Sequence, residues 1–112
     1  MAVVETETFL ASAARLGMSG TERTALIIFL AGNPEAGVVV PETGGVRKFR
    51  WALPGRGKSG GARPIYYYHN KSMPPYALDI YAKNQKANLS FAEKRAMRKT
   101  IAAIKAEHDR RR

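Results

Sequence analysis

A chain of 112 residues, 45% hydrophobic and 25% charged, has the size and composition of one small globular core rather than of a disordered polyelectrolyte. It has no cysteine, which excludes a disulfide framework, a thiol nucleophile and any thiolate-bound metal. Nineteen Lys and Arg against nine Asp and Glu give a net charge of +10, carried by residues 45–112, where seventeen basic side chains face four acidic ones; residues 1–44 hold two basic and five acidic.

So lopsided a field favours a polyanionic partner, nucleic acid above all. The two histidines, His69 and His108, are too few for a metal centre, and no cofactor is expected. The longest apolar run, residues 25–31, is far short of the roughly twenty residues that span a bilayer. No basic stretch followed by an apolar one opens the chain, so a cytoplasmic protein without a membrane partner is expected.

In chain order, Val3-Val4 reads as a short strand. Thr6 or Thr8 offers a helix cap, and Phe9, Leu10, Ala13, Ala14 and Leu16 recur at helical spacing up to Gly17. Ser19 and Glu22 have the spacing of a capping box, in which each side chain satisfies the other's free amide. The run 25–31 that follows is apolar nearly all round, which predicts a second helix largely buried or covered by a partner. Gly32-Asn33-Pro34 should stop it, with the glycine in the left-handed conformation.

Residues 38–40 read as an edge segment within the connection 35–45. Three strands are then expected over 46–53, 63–69 and 76–83, the last two joined as a hairpin across 70–75. The first alternates, placing Phe49 and Trp51 on one face and Lys48 and Arg50 on the other. The second is apolar on both sides except at Arg63, as in a strand buried on both faces. The glycine-rich stretch 55–61 reads as a turn. Ser90 and Glu93 repeat the capping-box spacing ahead of a last helix with Ala92, Ala96, Met97, Ile101 and Ile104 on its apolar side and Lys94, Arg95, Arg98, Lys99 and Lys105 on the other. The layout is α+β, a single domain over 1–112: two N-terminal helices, an antiparallel sheet of three to five strands and a C-terminal helix.

Gly57-Lys58-Ser59 looks like the end of a nucleotide-binding phosphate loop. The motif's first glycine would fall at Ala52, and a strand rather than a helix follows, so the match fails. More informative is a dispersed set of cations, Lys48, Arg50, Arg56, Lys58, Arg63, Lys83 and Lys86, interleaved with Tyr66, Tyr67, Tyr68 and Tyr81. Cations meet phosphates and aromatic rings stack on bases, a pairing suited to RNA.

The segments 33–37 (NPEAG), 44–51 (GGVRKFRW), 57–67 (GKSGGARPIYY) and 80–84 (IYAKN), with Leu89-Ser90, form an ordered series. Together they resemble the RelE/HigB-type toxins of bacterial type II toxin–antitoxin modules, the HigB-like branch in particular, over about residues 20–105. The resemblance implies a compact antiparallel sheet flanked by helices. It also implies an endoribonuclease that cuts mRNA in the A site of the 30S ribosomal subunit, and a cognate helix-turn-helix (HigA-like) antitoxin. Arg63 stands where the family clamps a phosphate, after the glycine-rich turn; Lys48 and Arg50 match its preceding basic pair, and Lys83 the basic residue closing the next strand. Arg47, Arg56, Lys58, Lys86, Tyr67 and Tyr81 are the accompanying RNA-binding candidates. Two departures stand out: Pro64 replaces a usual aliphatic residue, and Asn88-Leu89-Ser90 occupies the place where some relatives carry a late tyrosine.

Cleavage by RNA's own 2′-hydroxyl requires a base, a stabiliser for the dianionic phosphorane and an acid for the leaving 5′-oxygen. Arginine's fork suits the stabilising task. A free lysine is about 0.04% neutral at pH 7, and like charges crowded on one face favour its neutral form. Arg63 is therefore expected to stabilise charge and Lys48 and Lys83 to divide the proton transfers, with no metal. The alternatives are a gyrase-inhibiting toxin of the same fold, which would not need a concentrated basic face, and a non-catalytic RNA-binding module.

Overall fold

The computed structural model describes residues 2–53, 61–86 and 88–111. Strand β1 (Val4–Glu5) ends where Thr6 caps helix α1 (Glu7–Arg15), its hydroxyl oxygen accepting the Phe9 amide at 3.2 Å. The same hydroxyl donates to the Ala77 carbonyl at 2.9 Å, so one side chain both starts the helix and ties it to the sheet. Gly17, at φ 74°, takes the left-handed turn out of α1. Helix α2 (Gly20–Gly32) opens on the expected capping box: Ser19 Oγ accepts the Glu22 amide at 3.1 Å, and Glu22 Oε1 accepts the Ser19 amide at 2.9 Å.

Two expectations for α2 are corrected. Gly32 is still helical and not left-handed; Asn33 ends the helix at φ −140°, and its side-chain amide donates to the Phe29 carbonyl at 3.0 Å, which removes the need for a left-handed residue. Nor is the helix enclosed. Leu26 and Leu30 are buried while Ile28 is 67% exposed, because only one stripe of α2 meets the sheet.

Strands β2 (Val38–Val39), β3 (Val46–Lys48), β4 (Ala62–Tyr67) and β5 (Tyr76–Ala82) join β1 in a five-stranded sheet of order β1-β5-β4-β3-β2. The sheet is mixed rather than antiparallel: β1 runs parallel to β5, and the other neighbours are antiparallel. A parallel neighbour needs a long crossover rather than a hairpin, and everything from α1 to β4 supplies it. Helix α3 (Phe91–Arg110) follows, started by the second capping box, Ser90 with Glu93. The fold is α+β, with α1 and α2 on one face of the sheet and α3 on the other. Phe9, Ala13 and Leu26 pack on Ala62, Ala77 and Ile80 on the first face; Ile101 packs with Val46, Ile65, Tyr67 and Leu78 on the second.

As expected, β4 is buried along its length except at Arg63. The strand expected over 46–53 is shorter, its ladder stopping at Lys48 and resuming where Trp51 and Ala62 exchange backbone bonds of 2.9 and 2.8 Å. Pro64 explains the gap. Amides alternate along a strand, so the Pro64 nitrogen faces β3, as that of Ala62 does, and has no hydrogen to donate. On α3 the apolar side is narrower than expected: Ile101 is buried and Met97 and Ile104 half-buried, but Ala92 and Ala96 are exposed. The helix is seated about Ile101, and its first turns stand clear of the core. The glycine-rich stretch lies outside the described residues save for Gly61. Among the described residues, no helix is long and apolar enough to cross a membrane.

Burial pushes the Tyr66, Tyr67 and Tyr81 phenols above their usual value of 10.0; for Tyr66 the Gly37 amide hydrogen bond and Arg47 pull the other way, and for Tyr81 mainly Arg63 and Lys86. The folded state thus resists losing these protons, and its stability is full below pH 10 and falls as pH rises above it. Absorbance titration near 295 nm should show three of the five tyrosines ionising only as circular dichroism reports unfolding.

Candidate active site

Strand register assembles the basic residues. On β4, Arg63 lies opposite Tyr81 of β5, and Ala62 opposite Trp51. Counting back one residue from Trp51 sets Arg50 against Arg63 on the other flank. Lys48 is opposite Ile65, and the Lys83 amide donates to the Gly61 carbonyl at 2.9 Å. By alternation Lys48, Arg50, Arg63 and Lys83 share the face of Ile65 and Tyr81, the face on which α3 packs. Neighbouring strands run about 4.8 Å apart, so four cations occupy adjoining positions at the end of the sheet away from Ile101.

Each has its own surroundings. Arg63 is half-buried, and its Nε is buried without a hydrogen-bond partner. Arg50 is exposed, and with Lys83 it lines a cavity of about 280 Å³ at the edge of the sheet, together with residues 51–53, Gly61 and Ala62. Lys48 Nζ donates to Asn88 Oδ1 at 3.3 Å, tying β3 to the loop before α3. A half-buried guanidinium beside three further cations is suited to an anion that brings its own acceptors to the exposed part of the fork.

The other nominated residues are placed elsewhere. Arg47 points to the opposite face, where its Nη1 donates to the Gly37 carbonyl at 2.8 Å and its Nε is buried. It braces the connection before β2 rather than facing the cation cluster. Tyr67 and Tyr81 are only 2% and 4% exposed, and buried rings offer no face to a base; their assignment as stacking residues is corrected. Lys86 is half-buried, ion-paired to Glu93, with its Nζ 4.7 Å above the Tyr81 ring centre. Arg56 and Lys58, with the Gly57-Lys58-Ser59 segment, lie outside the described residues. Asn88, which holds Lys48, enters the sequence pattern only as part of the segment that replaces a late tyrosine, because a loop asparagine carries no periodic signal of its own.

A family model described as "RelE toxin of RelE / RelB toxin-antitoxin system" matches residues 35–111. The chain belongs to the RelE toxin family. In RelE terms, the match takes in β2 to α3 and all four clustered cations, while β1, α1 and α2 precede it.

Glu93 anchors α3 to this region. Burial opposes its ionisation, but hydrogen bonds from Lys86 and the Ser90 amide outweigh that and hold the carboxyl below its usual value. A depressed carboxyl contributes stability above about pH 4.5 that is lost as pH falls through the folded value. Glu93→Gln should therefore lower the melting temperature at pH 7 by a few degrees and much less near pH 3, as read by thermal melts at both values.

Proposed function

We propose that this RelE toxin is an endoribonuclease of the HigB-like branch, cutting mRNA in the ribosomal A site. The observation that carries the reading is the strand register that gathers Lys48, Arg50, Arg63 and Lys83 on the α3 face. RNA supplies its own nucleophile. The 2′-hydroxyl loses its proton and its oxygen bonds to phosphorus, the bond from phosphorus to the 5′-oxygen breaks, and that oxygen takes a proton. The products are a 2′,3′-cyclic phosphate and a free 5′-hydroxyl.

Arg63 stabilises the phosphorane, whose second negative charge exists only at the transition state, and Arg50 adds a cation on the same row. Lys48 and Lys83 lie in the flanking rows, on either side of Arg63 along the strands, and divide the base and acid roles between the attacking and leaving oxygens. Asn88 fixes the Lys48 ammonium when no RNA is bound. Gyrase inhibition would leave this concentration of charge without a task.

The ribosome has a physical part to play. A strongly basic surface binds RNA of any sequence, with affinity falling as salt rises, so binding alone does not select a target. Free mRNA seldom holds its 2′-oxygen in line with the leaving oxygen. Restraint in the A site supplies that alignment, which is worth several kcal/mol. The partners are then mRNA, the 30S subunit and a HigA-like helix-turn-helix antitoxin, and the place of action is the cytoplasm.

Cleavage of one mRNA, purified and in translating ribosomes, should be compared at equal protein and salt. Wild-type protein should cut far faster on the ribosome, and Arg63→Ala should lose about 10²–10³ in rate while keeping the wild-type melting curve. Equal rates on free and ribosomal mRNA would refute ribosome dependence, and an active Arg63→Ala would remove Arg63 from the chemistry.

A further inference from the structure

Phe91 opens α3 and is 63% exposed, the one aromatic among the large hydrophobic side chains exposed in the described residues. The first position of a helix makes no demand for an aromatic, and an exposed ring contributes nothing to the core. Its neighbours show what it faces. At 100° per residue, Phe91, Lys94, Arg95 and Arg98 fall on one side of α3. The Arg95 guanidinium sits 5.2 Å from the centre of the Phe91 ring, and the residue remains 63% exposed with that contact made.

The contacts of α3 orient this side. Glu93 turns toward β5, where it meets Lys86, while Lys94 turns toward the loop before β3, its Nζ 4.0 Å from Glu42. The flank that carries Phe91 is therefore the one on the β3 side. There Asn88, three residues ahead of Phe91, reaches Lys48 Nζ. An exposed ring, three helix cations and the Lys48 end of the basic row thus lie along one path.

We propose that Phe91 is a stacking platform for an unpaired base of the RNA whose phosphates lie on Lys48, Arg50 and Arg63. The proposal rests on the nuclease reading above. A phosphate track binds every sequence and conformation alike, whereas an aromatic face engages only a base that has left its stack, as in single-stranded mRNA. Phe91 makes the basic face selective for unpaired RNA, the role that buried Tyr67 and Tyr81 do not fill. Arg95 backs the ring and presents its charge to the adjoining phosphate.

The test measures binding of the full chain to a single-stranded 2′-O-methyl RNA, which lacks the attacking hydroxyl, and to an abasic oligomer of the same length. Phe91→Ala and Phe91→Leu should weaken binding of the base-containing strand about tenfold and leave the abasic one unchanged. The salt dependence should keep its slope, because no phosphate contact is lost. Phe91→Trp should retain affinity, with its added fluorescence quenched by the base-containing strand alone. Lys48→Ala should weaken both oligomers and reduce the slope by about 0.7. Full affinity in Phe91→Leu, or equal losses on the two oligomers, would overturn the stacking role while the Lys48 result upholds the RNA face. Unchanged binding in Lys48→Ala, Arg63→Ala and Phe91→Ala together would overturn the RNA reading itself. Intact RNA binding by Phe91→Ala with lost binding of the purified antitoxin would assign the ring to a protein partner and overturn the proposal.

Discussion

Strand β4 begins on an apolar alanine and a cation, and then runs through four consecutive buried residues, Pro64 to Tyr67. That sequence obliges the protein to cover both faces of the sheet, with α1 and α2 on one side and α3 on the other. It also limits the cover. A guanidinium enclosed without partners would face a desolvation penalty that nothing here repays, so the α3 side must stay open around Arg63. The site is the place where the packing has to stop.

The open end is then loaded with like charge. Arg50 beside Arg63, with Lys48 and Lys83 in the rows before and after, is unfavourable across neighbouring strands. A fold selected for stability alone would interleave carboxylates there. The nearest acidic side chain on α3, Glu93, is already committed to Lys86 and to its own helix cap. The other acidic side chain near the row is Asp79, opposite Ile65 on β5, so four cations face few carboxylates at this end of the sheet, an imbalance that accords with the anion-binding role proposed above. Pro64 fits the same economy. It removes one ladder bond where β3 leaves the sheet, at the point where Arg50 becomes exposed.

What was legible in the sequence was what local rules decide. Both capping boxes, the Thr6 cap and the hairpin strands come from interactions within a few residues, and the double burial of β4 follows from its apolar run. The alternation that sets Lys48 and Arg50 on one face puts Arg47 on the other, since one residue of offset reverses the face, and parity alone separates Arg47 from the cation cluster. Tyr67 and Tyr81 were misjudged because aromatic composition does not distinguish a ring in a central strand from one on a surface. The parallel pairing of β1 and the exposure of Ile28 depend on where distant elements come to rest, which no local pattern encodes. Asn88 and Phe91 belong to a loop and a first helical turn, where periodicity has not yet begun.

Charge also tells the two faces apart. The elements ahead of the RelE match carry Glu5, Glu7 and Glu22, and one of their two arginines, Arg23, is paired to Glu5 at 3.0 Å. The helix pair on the far face therefore offers a polyanion little attraction, whereas the α3 face carries Lys48, Arg50, Arg63 and Lys83 and the cations of α3 itself. On the nuclease reading proposed above, an approaching RNA would be turned toward the cations before any contact forms, an effect that reaches about one Debye length, roughly 8 Å at physiological salt. Within that distance, short-range groups would take over the selection in the proposed roles: Arg63 would distinguish a phosphate from other anions, and the Phe91 ring an unpaired base from a duplex. In that reading long-range charge selects the face, and the few groups that the core leaves exposed there select the ligand.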